Sequence, residues 1–215
     1  MRGLHALKSD LVTPMCDIAA VPKNEFGCKL LSADITARSS PSATKDHHIL
    51  TLLSWIIGLP TLAIVAFFLA GPDRVWRTFT GPADMGALSI DTLVRTGKPN
   101  DALIGPASAL PLPPDAESPV FALSAQELFR QLTARIESTD TVSWVEQNDE
   151  ALYARALAFS SLMRFPDTNH IWVLPVDETH STLAFYAAAK LGHSDLGKNR
   201  ERLDYWLSLL SDLPR

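Results

Sequence analysis

The feature that most constrains the fold of this chain is an uninterrupted run of 22 residues without a charge. Residues 49–70 read ILTLLSWIIGLPTLAIVAFFLA. As a helix with a rise of about 1.5 Å per residue they span roughly 33 Å, close to the ~30 Å hydrocarbon core of a bilayer. A single helix can span lipid because it satisfies its own backbone hydrogen bonds; Pro60 removes one of them and is expected to kink the helix. The run predicts a transmembrane helix over residues 49–71.

Two other interpretations of this run are a buried core helix and a cleaved signal peptide. A core helix of this length normally carries some charged residues. The apolar region of a signal peptide is about 7–15 residues long, and cleavage after Ala70 would leave Phe68 where a small residue is needed. We therefore expect an uncleaved anchor that crosses the membrane once.

The charged residues are unevenly distributed on the two sides of the run. Residues 1–48 carry 6 Lys/Arg and 5 Asp/Glu, whereas residues 72–215 carry 13 and 19. The acidity of the chain therefore belongs to its C-terminal part. An acidic domain argues against nucleic acid as a partner, because nucleic-acid binding normally needs a basic face.

The orientation of the anchor is not decided by its flanking charges. Arg38 and Lys45 precede the run and Arg74 and Arg77 follow it, so the two sides are equal by the rule that basic residues stay in the cytoplasm. A short segment ahead of a single anchor usually remains in the cytoplasm. We therefore expect residues 72–215 on the opposite side of the membrane.

The first 48 residues show no clean periodicity. Cys16 and Cys28 are the only cysteines, and their spacing offers too few ligands for a metal site. We expect residues 1–48 to form a disordered tail.

Residues 72–119 are expected to be a linker, because they contain 8 of the 15 prolines. The run LPLPP at 110–114 is typical of extended, polyproline-like chain. Such a linker either holds a domain off the membrane or lies along the surface of that domain. Trp76 and Phe79 directly follow the apolar run and are expected to anchor at the membrane interface, which favours aromatic rings.

Residues 120–213 show the patterns of a folded domain. Ser124 and Glu127 mark a helix start, and an apolar stripe follows at Leu128, Leu132 and Ile136. Strands are predicted at 142–147, 170–174 and 181–189, whereas 151–159 fits either a helix or a strand. A last helix is expected after Ser194 or Asp195, either of which can cap it. The order predicts an α+β fold: a two-layer domain of about four antiparallel strands flanked by two helices, after the membrane helix and the Pro-rich linker.

Two motifs in this domain resemble a known family. Residues 162–167 read LMRFPD and residues 192–202 read GHSDLGKNRER, and together they resemble the family called domain of unknown function 1499. The likeness covers about residues 95–210. Members in proteobacteria often have one N-terminal membrane helix and a Pro-containing linker, which implies a protein of the bacterial inner membrane with its C-terminal domain in the periplasm. The family has no agreed activity.

The chain departs from the family at positions where relatives tend to carry arginine. Residues 187–190 read AAAK and residues 159–161 read FSS. If the family binds an anion through those arginines, this chain retains only Lys190, Arg200 and Arg202 for that purpose.

The second motif supports two interpretations. In the first, a small anion meets the helix N-terminus between Gly192 and Gly197, and the candidate ligand-binding residues are Lys190, Ser194, Asp195, Asn199, Arg200 and Arg202. In the second, the same residues are structural: Asp195 caps the helix, Asn199 bonds a loop carbonyl and an arginine pairs with Asp167. The structural motif then comprises Phe165, Pro166, Asp167, Gly192 and Gly197.

No catalytic residues, cofactor or metal site are predicted. His170, His180 and His193 lie in different predicted elements of a domain that contains no cysteine. The serines lie in no Gly-x-Ser-x-Gly elbow, and no Gly-rich phosphate loop occurs. We therefore expect a non-catalytic, membrane-anchored accessory or interaction domain, with the lipid bilayer and other membrane proteins as partners. The alternative is a binding module for a small anionic or lipid-derived ligand at the loop before the last helix.

Overall fold

The computed structural model describes residues 43–215. Residues 1–42 of the expected N-terminal tail, with its two cysteines, lie outside the described residues, whereas residues 43–48 are helical and not disordered. The helices are α1 (Ala43–Ala70), α2 (Pro72–Thr80), α3 (Ala125–Thr139) and α4 (Lys198–Ser208), with a single 3₁₀ turn at Ile90–Thr92. The strands are β1 (Asp101–Ile104), β2 (Ser143–Asn148), β3 (Tyr153–Phe159), β4 (Pro166–Pro175) and β5 (Ser181–Ala189).

Helix α1 contains the whole charge-free run and begins several residues before it. Residues His47–Ala70 are long and apolar enough to cross a membrane, and none of the most apolar stretch is buried within the structure. Its hydroxyl groups bond to the helix itself: Ser54 Oγ donates to the Thr51 carbonyl and Thr61 Oγ1 to the Ile57 carbonyl, both at 2.7 Å. Intrahelical bonds of this kind satisfy hydroxyl groups where no water is present.

The five strands form one antiparallel sheet in the order β1-β5-β4-β3-β2. The α+β fold is thereby confirmed, with one strand more than the four expected. Of residues 151–159, which fitted two patterns, Tyr153–Phe159 form strand β3 and the first two belong to the preceding turn. The additional strand, β1, pairs with β5 and comes from residues 72–119, the expected linker.

Helices α3 and α4 cover one face of the sheet. The apolar stripe of α3 is buried, and Ser124 caps the helix by accepting from the Glu127 backbone N–H. Trp206 of α4 is completely buried and packs edge-on against Phe185 of β5. Each large apolar side chain removed from water in this way contributes about 1.5–3 kcal/mol.

The opposite face of the sheet is covered by part of the expected linker. We call residues 82–94 the cover segment. Within it, Leu93 is buried in a cluster with Tyr153, Trp172 and Tyr186 of the sheet, and the Met85 N–H donates to Thr168 Oγ1 of β4 at 3.1 Å. The segment thus lies along the surface of the domain, which is the second of the two arrangements expected for the linker.

Candidate functional site

The residues of the second sequence motif meet at a buried polar cluster between α4 and the sheet. Arg202 Nη2 lies 3.0 Å from Asp167 Oδ2. Arg202 Nη1 donates to Asn199 Oδ1 at 2.7 Å and to Asn169 Oδ1 at 3.3 Å. The Asp167 and Arg202 side chains are only 10% and 15% exposed. Burial raises the pKa of Asp167 above its ordinary value, and the Arg202 charge opposes this rise.

Asn199 extends this cluster to the start of β1. Its side chain is fully buried, and Nδ2 donates to the Asn100 carbonyl at 3.0 Å. Asn100 in turn donates from Nδ2 to the carbonyls of Ala189 (3.3 Å) and Gly192 (3.2 Å). The amides of Asn100 and Asn199 therefore join three segments, namely the end of β5, the start of β1 and the first turn of α4. We call Asn100, Asp167, Asn169, Asn199 and Arg202 the polar lock.

The loop before α4 is bonded internally. Asp195 accepts from the N–H groups of Gly197 (Oδ1, 3.0 Å) and Asn199 (Oδ2, 2.8 Å), and Ser194 Oγ accepts from the Leu196 N–H at 3.1 Å. Gly197 is the residue that precedes the helix, and its φ of 80° is one that a side chain would strain. The Asp195 carboxylate therefore takes the backbone donors that an anion would need.

The cations of the expected ligand site also have partners within the domain. Lys190 Nζ donates to the Pro82 carbonyl of the cover segment. Arg200 donates to Asp204 Oδ2 at 2.8 Å and to the Asp115 carbonyl at 3.0 Å, whereas Arg202 is in the polar lock. The residues that line the groove beside the loop include Asp101, Asp115, Asp195 and Arg200, and the Asp101 and Asp115 carboxylates pair with Arg95. Anion binding here stays a prediction, and these contacts favour the structural interpretation.

The first motif connects the domain to the end of α1. Phe165 packs against Trp76 of α2 with ring centroids 5.0 Å apart, and Trp76 packs against Phe67 of α1 at 5.5 Å. Trp76 Nε1 donates to the Met163 carbonyl at 2.7 Å. Pro166 begins β4, and its carbonyl accepts from the Lys190 N–H at 3.1 Å. The Trp76 ring, which was expected to anchor at the membrane interface, is thus half-buried and contacts both the apolar helix and the domain.

A second polar cluster, which the sequence did not reveal, lies beneath the cover segment. His170 of β4 is fully buried, and its Nδ1 lies 2.9 Å from the Tyr153 hydroxyl. The imidazole is stacked between the rings of Trp172 and Tyr186, with centroids 5.6 and 6.1 Å away. Within the described part of the chain, His170 Nε2 has no hydrogen-bond partner.

Charged groups surround this histidine. Arg155 stands opposite His170 in the β3–β4 register, and its guanidinium lies 3.3 Å from Asp84 and 3.4 Å from Glu146. Burial, with a smaller contribution from the positive charge of Arg155, lowers the pKa of His170 to about 4, while Asp84 opposes the effect. The histidine is therefore neutral at ordinary pH.

This histidine cluster offers no route to a substrate. The imidazole is completely enclosed, because the cover segment lies over it and the neighbouring rings flank it. A general acid or base must come within hydrogen-bond reach of the proton it transfers. With the cover segment in place, the role of His170 is to pack and to bond Tyr153. No sequence pattern indicated this position, because the burial of β4 on both faces from Pro166 to Val173 is seen only in the structure.

Metal binding finds no support from the side-chain arrangement. Among the described residues, no three His, Cys, Asp or Glu side chains come together in a way that could hold a metal ion. His170 is buried in β4, His180 lies at the turn before β5 and His193 lies in the exposed loop before α4.

Comparison with known proteins places the domain in a family. A family model described as protein of unknown function (DUF1499) matches residues 98–210, slightly more than half of the chain. The chain belongs to the DUF1499 family. The part of this DUF1499 protein that matches runs from the start of β1 to the end of α4, so both the polar lock and the histidine cluster lie mostly inside it. The resemblance carried by the two motifs is thereby confirmed.

No curated protein is significantly similar to this DUF1499 chain. A solution NMR structure of a protein from Thermobifida fusca is similar to it at 14% sequence identity, over 39% of this chain and 76% of that chain, with a TM-score of 0.30. A similarity of this size carries no argument about fold or function.

Proposed function

We propose that this DUF1499 protein is a single-pass membrane protein whose α+β domain serves as a non-catalytic accessory or interaction module in the periplasm, held at the inner membrane of a bacterium. The observation that carries the proposal is the surface of α1. Its apolar side chains are largely exposed, Ile56 and Leu62 each by 65%, and none of its most apolar stretch is buried within the structure. Exposure of these apolar side chains is unfavourable in water but not in the hydrocarbon core of a bilayer.

The non-catalytic role is supported by the way the polar side chains are used. The arginines and asparagines of the family motif bond to one another or to backbone groups, and the buried histidine is enclosed. An active site needs polar groups that converge on a space open to substrate. The polar lock instead joins helix to sheet, which makes a rigid domain whose outer surface is available to partners.

Membrane anchoring is tested by alkaline carbonate extraction of cell membranes that contain the full chain. We expect the chain to stay in the pellet. A variant with Leu62→Lys and Ile64→Lys, near the middle of α1, should move to the supernatant, because each Lys at the centre of a membrane helix costs about 3 kcal/mol. The matched control, Leu196→Lys, changes a leucine that is 90% exposed on the domain and should stay in the pellet. Extraction of the unchanged chain would refute the anchor.

Orientation and partnership need two further measurements. Alkaline phosphatase is active only outside the cytoplasm, so a fusion after Arg215 should be active if the domain is periplasmic. An inactive fusion, together with fluorescence of a green fluorescent protein fused at the same point, would refute the periplasmic location.

For the accessory role, the tagged chain is purified from detergent-solubilised membranes beside a control that ends after Thr80. A membrane protein that co-purifies in stoichiometric amount with the full chain alone is expected; its absence would refute that role.

A further inference from the structure

The loop between β3 and β4 presents an apolar side chain outward. We call residues 160–165 the β3–β4 loop. Leu162 at its tip is 67% exposed, whereas the ends of the loop are tied together: the Ser160 N–H donates to the Phe165 carbonyl at 3.0 Å, and the Phe165 N–H donates to Ser160 Oγ at 2.9 Å. Arg164 holds a φ of 55°, which is unfavourable for a residue with a side chain. The loop is thus a tight, closed structure with a leucine at its tip.

Contacts with Trp76 bring this loop to the end of the apolar helix. The Trp76 ring touches Phe67 of α1 on one side and Phe165 of the loop on the other. Its indole N–H bonds the carbonyl of Met163, the residue after Leu162. Phe67 lies within the apolar stretch, three residues before α1 ends at Ala70. The loop is therefore only two ring contacts away from a residue of the membrane-crossing segment.

Basic side chains occur on α2 and in the loop, and Arg77 and Arg164 line one depression together with Trp76. Arg74 and Arg77 are exposed on α2, directly after the apolar helix. Arg164 lies 4.5 Å over the Phe159 ring and 3.3 Å from Asp73 of α2. An exposed leucine and exposed arginines close to an apolar helix are typical of protein surfaces that bind at the lipid headgroup layer. There the apolar side chain enters the acyl boundary and the guanidinium groups meet phosphates.

We propose that the β3–β4 loop is a second membrane contact, in which Leu162 enters the boundary between headgroups and acyl chains and Arg74 and Arg77 bind lipid phosphates. This inference rests on the proposed membrane anchor. It adds that the domain sits directly on the bilayer surface in a fixed orientation, with Trp76 coupling the helix to the loop.

The opposite end of β4 supplies a matched control position. Val176 follows β4 in the next turn and is 56% exposed, so it resembles Leu162 in exposure and in apolar character. A ten-residue strand is roughly 33 Å long, and β4 has ten residues. Val176 therefore lies at the far end of the sheet from the loop and should remain in water.

The experiment uses the full chain with Cys16→Ser and Cys28→Ser, reconstituted in bilayers of phosphatidylethanolamine and phosphatidylglycerol. One cysteine, from Leu162→Cys or Val176→Cys, carries an environment-sensitive fluorophore. We expect the label at 162 to be quenched several-fold more by spin-labelled lipid, and several-fold less by iodide, than the label at 176. Addition of Trp76→Ala should reduce the lipid quenching at 162, because the loop is then no longer attached to α1.

The outcomes separate this inference from the proposed anchor. Equal quenching of both labels, in a chain that resists carbonate extraction, would overturn the second membrane contact and leave the anchor intact. Protection of the label at 162 from iodide without quenching by spin-labelled lipid would also overturn it, since the loop would then be covered by protein. Extraction of the chain by carbonate would overturn the anchor, and the second contact with it.

Discussion

The buried histidine of β4 provides a sharp test of the structure through pH. His170 is fully buried, and burial lowers its pKa to about 4 from an ordinary value of 6.5. The test is His170→Gln, which removes the titrating ring and keeps a side chain that can bond the Tyr153 hydroxyl. The quantity compared is the change in the free energy of unfolding between two pH values, so a constant loss of stability in the variant does not affect the result.

The sign and size of the effect follow from proton linkage. Between about pH 6.5 and about pH 4 the unfolded chain binds a proton at His170 that the folded chain does not bind. The free energy of unfolding therefore falls as the pH falls through this window, and the contribution is fully present above it. At about 1.4 kcal/mol per pKa unit, the full effect is about 3 kcal/mol, of which about 2 kcal/mol appears between about pH 7 and about pH 4.5.

The assay is urea unfolding of the full chain in detergent micelles, followed by tryptophan fluorescence at about pH 7 and about pH 4.5. On acidification the unchanged chain should lose about 2 kcal/mol more than His170→Gln does. His193→Gln, which removes an exposed imidazole before α4, is the control and should behave as the unchanged chain. An equal loss in the unchanged chain and in His170→Gln would refute the assignment of a neutral, enclosed imidazole.

Four further predictions use the same unfolding assay. Arg202→Ala leaves the Asp167 carboxylate without its ion pair and should cost about 3 kcal/mol; adding Asp167→Asn should recover part of this loss, and purely additive losses would contradict the pairing. Asn199→Leu should cost about 1–3 kcal/mol, because it leaves buried polar groups of the lock unsatisfied, and an unchanged midpoint would exclude that role. Asp195→Ala should cost about 1 kcal/mol by freeing two N–H groups at the start of α4, and an unchanged midpoint would refute this capping role. Trp76→Phe keeps a ring between α1 and the loop but loses the bond to Met163, for an expected cost of about 1 kcal/mol; a cost equal to that of Trp76→Ala would show that the ring contacts add nothing.

Parts of the polar lock were predictable because residues three or four positions apart lie on the same face of a helix. The sequence indicated that Asn199 bonds a loop carbonyl, and the carbonyl is that of Asn100. The sequence also indicated that an arginine pairs with Asp167, but it did not indicate which arginine. Residues three apart share a helix face, so Arg202 lies beside Asn199 and faces the sheet, whereas Arg200 points away and pairs with Asp204.

The fifth strand and the cover segment had no comparable local signal. Strand β1 has four residues, and its pairing partner β5 lies about eighty residues later in the chain. The cover segment lacks periodicity and lies in the stretch that contains 8 of the 15 prolines, so an extended linker was predicted equally well. Its place on the sheet depends on Leu93 entering an apolar cluster and on Asp84 meeting Arg155, contacts that exist only after the sheet has formed.

By itself, the sequence determined the apolar helix, the capped start of α3 and the α+β pattern of the domain, because these depend on charge, capping and periodicity within a few residues. Tertiary structure alone decided that part of the expected linker covers the second face of the sheet, that His170 is enclosed there and that Trp76 joins the apolar helix to the β3–β4 loop. These features depend on pairings between residues far apart in the chain. Such pairings are stabilised by burial and by hydrogen bonds that no local pattern encodes.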